Sequence, residues 1–102
     1  MKFFLANKTK ENFLTMLRAA GYRFWAEKEG KMNFIRPFGS RGVYPRFHLY
    51  ILSEPAKNET LCELHLDQKQ PSYKGAVAHN AEYEGEILEE EITRIKGVTA
   101  NL

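Results

Sequence analysis

"PRFHLYILSEPAKNETLCELHLD", residues 45–67, decides the fold. It contains two runs of period-two alternation, PRFHLYIL (45–52) and TLCELHLD (60–67), joined by the polar stretch SEPAKNE (53–59). Successive strand residues point to opposite faces, so Phe47, Leu49 and Ile51 share one face and Arg46, His48 and Tyr50 the other. In the second run Cys62, Leu64 and Leu66 stand opposite Leu61, Glu63, His65 and Asp67. An antiparallel hairpin centred on Ala56 and Lys57 sets Phe47 against Leu66, Leu49 against Leu64 and Ile51 against Cys62. The other side then pairs Arg46 with Asp67, His48 with His65, and Tyr50 with Glu63. A slip of one residue would set apolar against polar side chains throughout, so this register is strongly specified.

Working outward, the chain reads as helix, four strands, helix, with a further short strand at residues 2–5. TKENFLTMLRAAG (9–21) carries Phe13, Met16, Leu17 and Ala20 at helical spacing, with Thr9 or Asn7 as its cap and Gly21 as its stop. YRFWAEK (22–28) and KMNFIRPF (31–38) are strands joined by a Glu-Gly turn, and Pro37 marks a strand end or an edge. Phe24 and Trp25 fall on opposite faces of their strand. One is expected in the core, and the other as a stacking platform beside Arg23 or a dimer contact. GSRGVY (39–44) is a loop, as are residues 68–81. EYEGEILEEEITRIKG (82–97) is a helix with Ile87, Leu88, Ile92 and Ile95 as its apolar stripe. Glu89–Glu91 are expected on its solvated face, and Gly97 as its stop. With both helices on the apolar side, the expected fold is α+β: a two-layer sandwich with an antiparallel sheet of three to five strands. Its helix–strands–helix order resembles that of double-stranded-RNA-binding domains, and its polar sheet face is expected to be open.

The chain's 102 residues, 43% hydrophobic and 27% charged, suit a single domain spanning 1–102 with one core. No apolar run approaches the ~20 residues of a membrane helix. MKFFLANK is too short for the ~7–15-residue apolar core of a signal peptide, so a cytoplasmic location and no membrane partner are expected. The single cysteine, Cys62, reads as a reduced core thiol. No Cys/His zinc pattern is present and no cofactor is expected. Charge is uneven: residues 1–52 hold ten Lys and Arg against three Asp and Glu, and residues 53–102 hold five against ten. Such asymmetry marks either a polyanion-binding half or two complementary parts of one domain.

The hairpin register gathers the chemistry. Directly opposed antiparallel residues have Cβ atoms ~4.5–5.5 Å apart, which makes His48 and His65 neighbours. They are bracketed by an Arg46–Asp67 ion pair and a Tyr50–Glu63 hydrogen-bonding pair. The following loop adds Lys69, Tyr73, Lys74 and His79 around a Pro71/Gly75 turn, and at about fourteen residues it is long for a compact domain. Three chemistries remain open. The two imidazoles, with Asp67 or Glu63, can hold a transition metal. They can do acid–base work while Arg46 and Lys69 hold an anionic substrate. Or the face can bind a nucleic-acid backbone through Arg46, Lys69, Lys74 and Tyr73. A solvated sheet face stabilised by cross-strand charges explains the same residues without any ligand. Facing imidazoles, however, repel when both are protonated, which is a poor arrangement for a purely structural pair. The reading favoured by the sequence is a domain binding RNA, DNA or a phosphate-bearing ligand. The alternatives are a small hydrolase or nuclease with His48 and His65 as catalytic residues, and a protein-interaction module without chemistry. The chain is expected to be a monomer or homodimer.

The segments PRFHLYI, LHLDQKQPSYKG and AHNAEYEGE resemble a family of short uncharacterised bacterial proteins, over most of the chain from Phe13 to Ile95. That resemblance implies a self-contained domain and carries no established activity. FLTMLRAAGYRFWAEKEG also resembles the first helix and strand of the HicA-type ribonuclease toxins, whose fold is that of double-stranded-RNA-binding domains. Those toxins place a catalytic histidine soon after the turn glycine. Here Lys31 and Met32 follow Gly30, so the resemblance implies topology alone.

Overall fold

The computed structural model describes residues 1–7, 9–37, 45–56, 58–67, 81–82 and 85–102. In chain order the elements are β1 (Lys2–Ala6), α1 (Lys10–Ala19), β2 (Arg23–Lys28), β3 (Lys31–Pro37), β4 (Arg46–Ala56), β5 (Glu59–Asp67), β6 (Ala81–Glu82) and α2 (Glu86–Thr99). Five strands form an antiparallel sheet in the order β1-β5-β4-β3-β2. β6 pairs with β5 as well, at Leu66 and Asp67, beyond the stretch of β5 that β1 occupies.

The β4–β5 register is the one that alternation specifies, from Arg46 opposite Asp67 to Ile51 opposite Cys62. The turn differs. Residues 53–56 extend β4 instead of forming a connection, and irregularities between Ile51 and Ala56 shift the pairing so that Ala56 faces Glu59. Each extra residue on one strand displaces the turn without turning the upstream side chains over. Asn58, at φ 71°, completes the tight reversal.

Both helices lie on the apolar face. Phe13, Met16, Leu17 and Ala20 from α1 and Leu88, Ile92 and Ile95 from α2 join Phe34, Phe47, Leu49, Cys62, Leu64 and Leu66 in one core. Thr9 caps α1, its hydroxyl accepting from the Asn12 amide at 3.0 Å, and Gly21 at φ 93° ends it. Glu29 and Gly30, both at positive φ, turn β2 into β3 as a two-residue hairpin requires.

Three expectations are corrected. α2 runs through Gly97 to Thr99, because Thr99 is buried and its hydroxyl donates to the Ile95 carbonyl at 2.8 Å. Glu91 is not on a solvated face. It is buried and accepts from Tyr22 Oη at 2.7 Å and from Arg94 Nε at 2.7 Å, with Arg36 at 3.6 Å. Burial, reinforced by the Glu91 carboxylate, pushes the Tyr22 phenol far above its ordinary value. Neither Phe24 nor Trp25 is core: both are about half exposed, and β2 bulges between Phe24 and Ala26. Among the described residues no helix is long and apolar enough to cross a membrane.

Candidate functional site

Arg46 and His48 come from β4, His65 and Asp67 from β5, and Asn33 from the neighbouring β3. Period two sends all five to the sheet face away from the helices, since Asn33 lies opposite Tyr50 and His48 opposite His65. The expectation of an open polar face is corrected here. Arg46, His48, His65 and Asn33 are all buried, and Ile35, paired with His48, is fully buried on the same side. Alternating polar residues look alike in a sequence whether water or one another satisfies them, and here they satisfy one another.

Asp67 is the hub. Its Oδ2 accepts from Arg46 Nε at 3.1 Å and lies 3.1 Å from His48 Nδ1, while its Oδ1 lies 3.1 Å from His65 Nε2. Burial alone would raise the Asp67 carboxyl. The hydrogen bonds from His48, His65 and Arg46 outweigh it and hold the group well below the usual carboxylate range. Cross-strand geometry explains the convergence: Arg46 is Asp67's direct partner, and His48 reaches it along the diagonal. The rings pack closely as well. His48 stacks on Tyr50 at 4.3 Å between centroids and 17° between planes, and His65 lies 4.8 Å from His48 and 5.1 Å from Tyr50.

Asn33 fixes the state of His48. Its amide Nδ2 donates to the Lys31 carbonyl at 3.2 Å, so its Oδ1 faces His48 Nε2 at 2.8 Å and can only accept. Nε2 therefore carries a hydrogen, and the second ring nitrogen, Nδ1, is the one aimed at Asp67. At the rim the Arg46 guanidinium carbon lies 4.9 Å from the centroid of the Trp25 ring, which the bulge in β2 leaves on this side of the sheet.

His48, His65 and Asp67 each present one metal-ligating atom, and these atoms lie within 4.8 Å of one another. The structure thus brings together Arg46, His48, Tyr50, His65 and Asp67. Lys69, Tyr73, Lys74 and His79 lie outside the described residues, as does the Ser40–Arg41–Gly42 turn. Asn33 and Trp25 are additions to the cluster. An asparagine flanked by Met32, Phe34 and Ile35 in a strand was the legible signal for the first, because asparagine is depleted in strands. The Cys62 thiol lies on the helix side, where burial pushes it up to about 12. Comparisons with family models, with curated proteins and with solved structures give no match to this chain.

Proposed function

We propose that a phosphate-bearing ligand, with single-stranded RNA or DNA foremost, binds at the rim of this sheet face, where Trp25 is exposed beside Arg46 and the buried His48/His65/Asp67 cluster lies behind it. The observation that carries the reading is the convergence of three basic side chains, Arg46, His48 and His65, on the single carboxylate of Asp67. One carboxylate balances only one positive charge, so the cluster holds an excess of basic groups that favours an anion. The rim suits bases. Trp25 lies over Arg46 while 49% exposed, which leaves an outer ring surface on which a base can stack. Such stacking contributes ~1–3 kcal/mol per base and tolerates any sequence. Along the chain, Lys69, Tyr73 and Lys74 follow Asp67 closely and add the charge and aromatic character that such a ligand needs.

Trp25 is the chain's one tryptophan, so its fluorescence reports on this face. Titration with a single-stranded RNA oligonucleotide at low salt should quench it saturably, with affinity falling steeply as salt rises. Trp25→Ala, followed with labelled RNA, should weaken binding by roughly 5- to 100-fold. Lys69→Ala should weaken all sequences alike and flatten the salt slope. Shortened RNA in the same mixture would identify the alternative, a nuclease working through His48 and His65. No binding at low salt, or binding indifferent to salt, would overturn the proposal in favour of a protein-interaction module.

A further inference from the structure

We propose that His48 Nδ1, His65 Nε2 and the Asp67 carboxylate form a site for a transition-metal dication of the zinc class. The inference is independent of nucleic-acid binding and starts from an electrostatic problem. Because Asn33 Oδ1 accepts from His48 Nε2, the other ring nitrogen faces Asp67 Oδ2 at 3.1 Å. That nitrogen can face the carboxylate only with a cation between them, either the proton of their hydrogen bond or a metal ion that replaces it. His65 Nε2 meets the other oxygen of the same carboxylate at the same distance. Two imidazole nitrogens and a carboxylate therefore converge on one small volume, and a single metal ion can replace the protons between them as a ligand shared by all three.

The donor set fits this class of metal. Zinc binds imidazole nitrogen at ~2.0–2.1 Å and carboxylate oxygen at ~2.0–2.2 Å in a tetrahedral arrangement, which separates its ligand atoms by roughly 3.3 Å. The two 3.1 Å contacts are near that spacing, while the most widely separated ligand atoms, up to 4.8 Å apart, must draw together when the ion binds. Two nitrogens and one oxygen favour zinc, cobalt or nickel over magnesium or calcium, which prefer all-oxygen sites. The surrounding residues fit too. A metal-bound histidine characteristically donates its other ring N–H to a carbonyl or carboxylate, as His48 does to Asn33, and a ligating carboxylate is itself hydrogen-bonded, as Asp67 is by Arg46. Asn33 is thus a positioning residue: its amide is held by the Lys31 carbonyl, and it turns Nδ1 toward the centre. Three protein ligands leave a fourth position open. A phosphate oxygen suits it, and this last step alone rests on the function proposed above.

The test uses the full chain, stripped with a chelator and titrated with Co2+ alone. The expected result is one equivalent per chain, with visible absorption of tetrahedral intensity that Zn2+ abolishes by displacement. In the wild-type chain, Co2+ should also shift the ring-proton NMR signals of His48 and His65 together. His65→Ala and Asp67→Asn should abolish the absorption. Asn33→Ala should keep the one-to-one stoichiometry while weakening affinity about 10- to 100-fold. Cys62→Ala removes the other soft ligand, on the opposite face of the sheet, and should change nothing. Failure of the wild-type chain to bind Co2+ or Zn2+ would overturn the proposal and leave a proton as the shared cation. So would binding that depends on Cys62, or paramagnetic shifts that miss His48 and His65. RNA binding without metal binding would defeat this inference and leave the proposed function standing.

Discussion

Asp67 bears more of the account than any other residue, because Arg46, His48 and His65 all meet its two oxygens. Removing one partner from a buried charge cluster strands the others, so Asp67→Asn should destabilise the fold by on the order of 3 kcal/mol. The pH dependence has a definite sign. The folded state holds the Asp67 carboxyl below its unfolded value, which is near ~3.9. Its contribution is therefore complete above about pH 4 and is lost as pH falls toward the lower folded value. Urea unfolding between pH 3 and pH 7, in chelator, should show a steep acid limb for the wild type and a shallower one for Asp67→Asn. Identical acid limbs would mean that the three hydrogen bonds do not favour the ionised form.

At the scale of elements, alternation made the β4–β5 hairpin legible, and helical spacing did the same for α1. A one-residue error in either would have exposed a whole apolar face. What alternation does not encode is an inserted residue. The irregularities near Ser53 and Ala56 and the bulge beside Trp25 leave the flanking pattern intact, so they moved the turn and set Trp25 into the bulge without a local sign, while Phe24, opposite Phe34, is exposed on β2 at the end of the strand order. Glu91 was opaque for a different reason. Its buried partner Tyr22 is 69 residues away in the chain, and a glutamate run reads as solvated until that partner is placed. Gly97 was mistaken for a stop because glycine usually marks helix ends, whereas here the pull of buried Thr99 extends α2 by two residues. This position gives a clean test. A Cβ added at Gly97 meets nothing within 4 Å, and the residue lies inside a helix. Gly97→Ala should therefore stabilise the chain by about 0.5–1 kcal/mol in urea or thermal unfolding. Destabilisation would contradict the helical assignment of the last turn.

Over the whole molecule, the uneven charge of the sequence is partly consumed within the fold. Arg36 of the basic half meets Glu91 of the acidic half at 3.6 Å, and Arg46 meets Asp67 at 3.1 Å, so the two halves complement each other across the sheet. Net charge alone is therefore a weak guide to a partner, and the functional reading rests on the local excess of basic groups around one carboxylate. The sequence placed Arg46, His48, Tyr50, His65 and Asp67 together because their register follows from the apolar residues behind them. It could not reveal that most of them are buried, nor that His48 is held on its other side by Asn33, two strands away from Asp67 in the sheet. The most direct test of the central claim follows the ring signals of His48, His65 and the Trp25 indole by NMR during addition of single-stranded RNA at low salt. A binding face predicts that all three move together and saturate at a common ligand concentration. Signals that stay fixed while RNA is added, or that move only far from these rings, would contradict it and leave the cluster as internal scaffolding of the sheet.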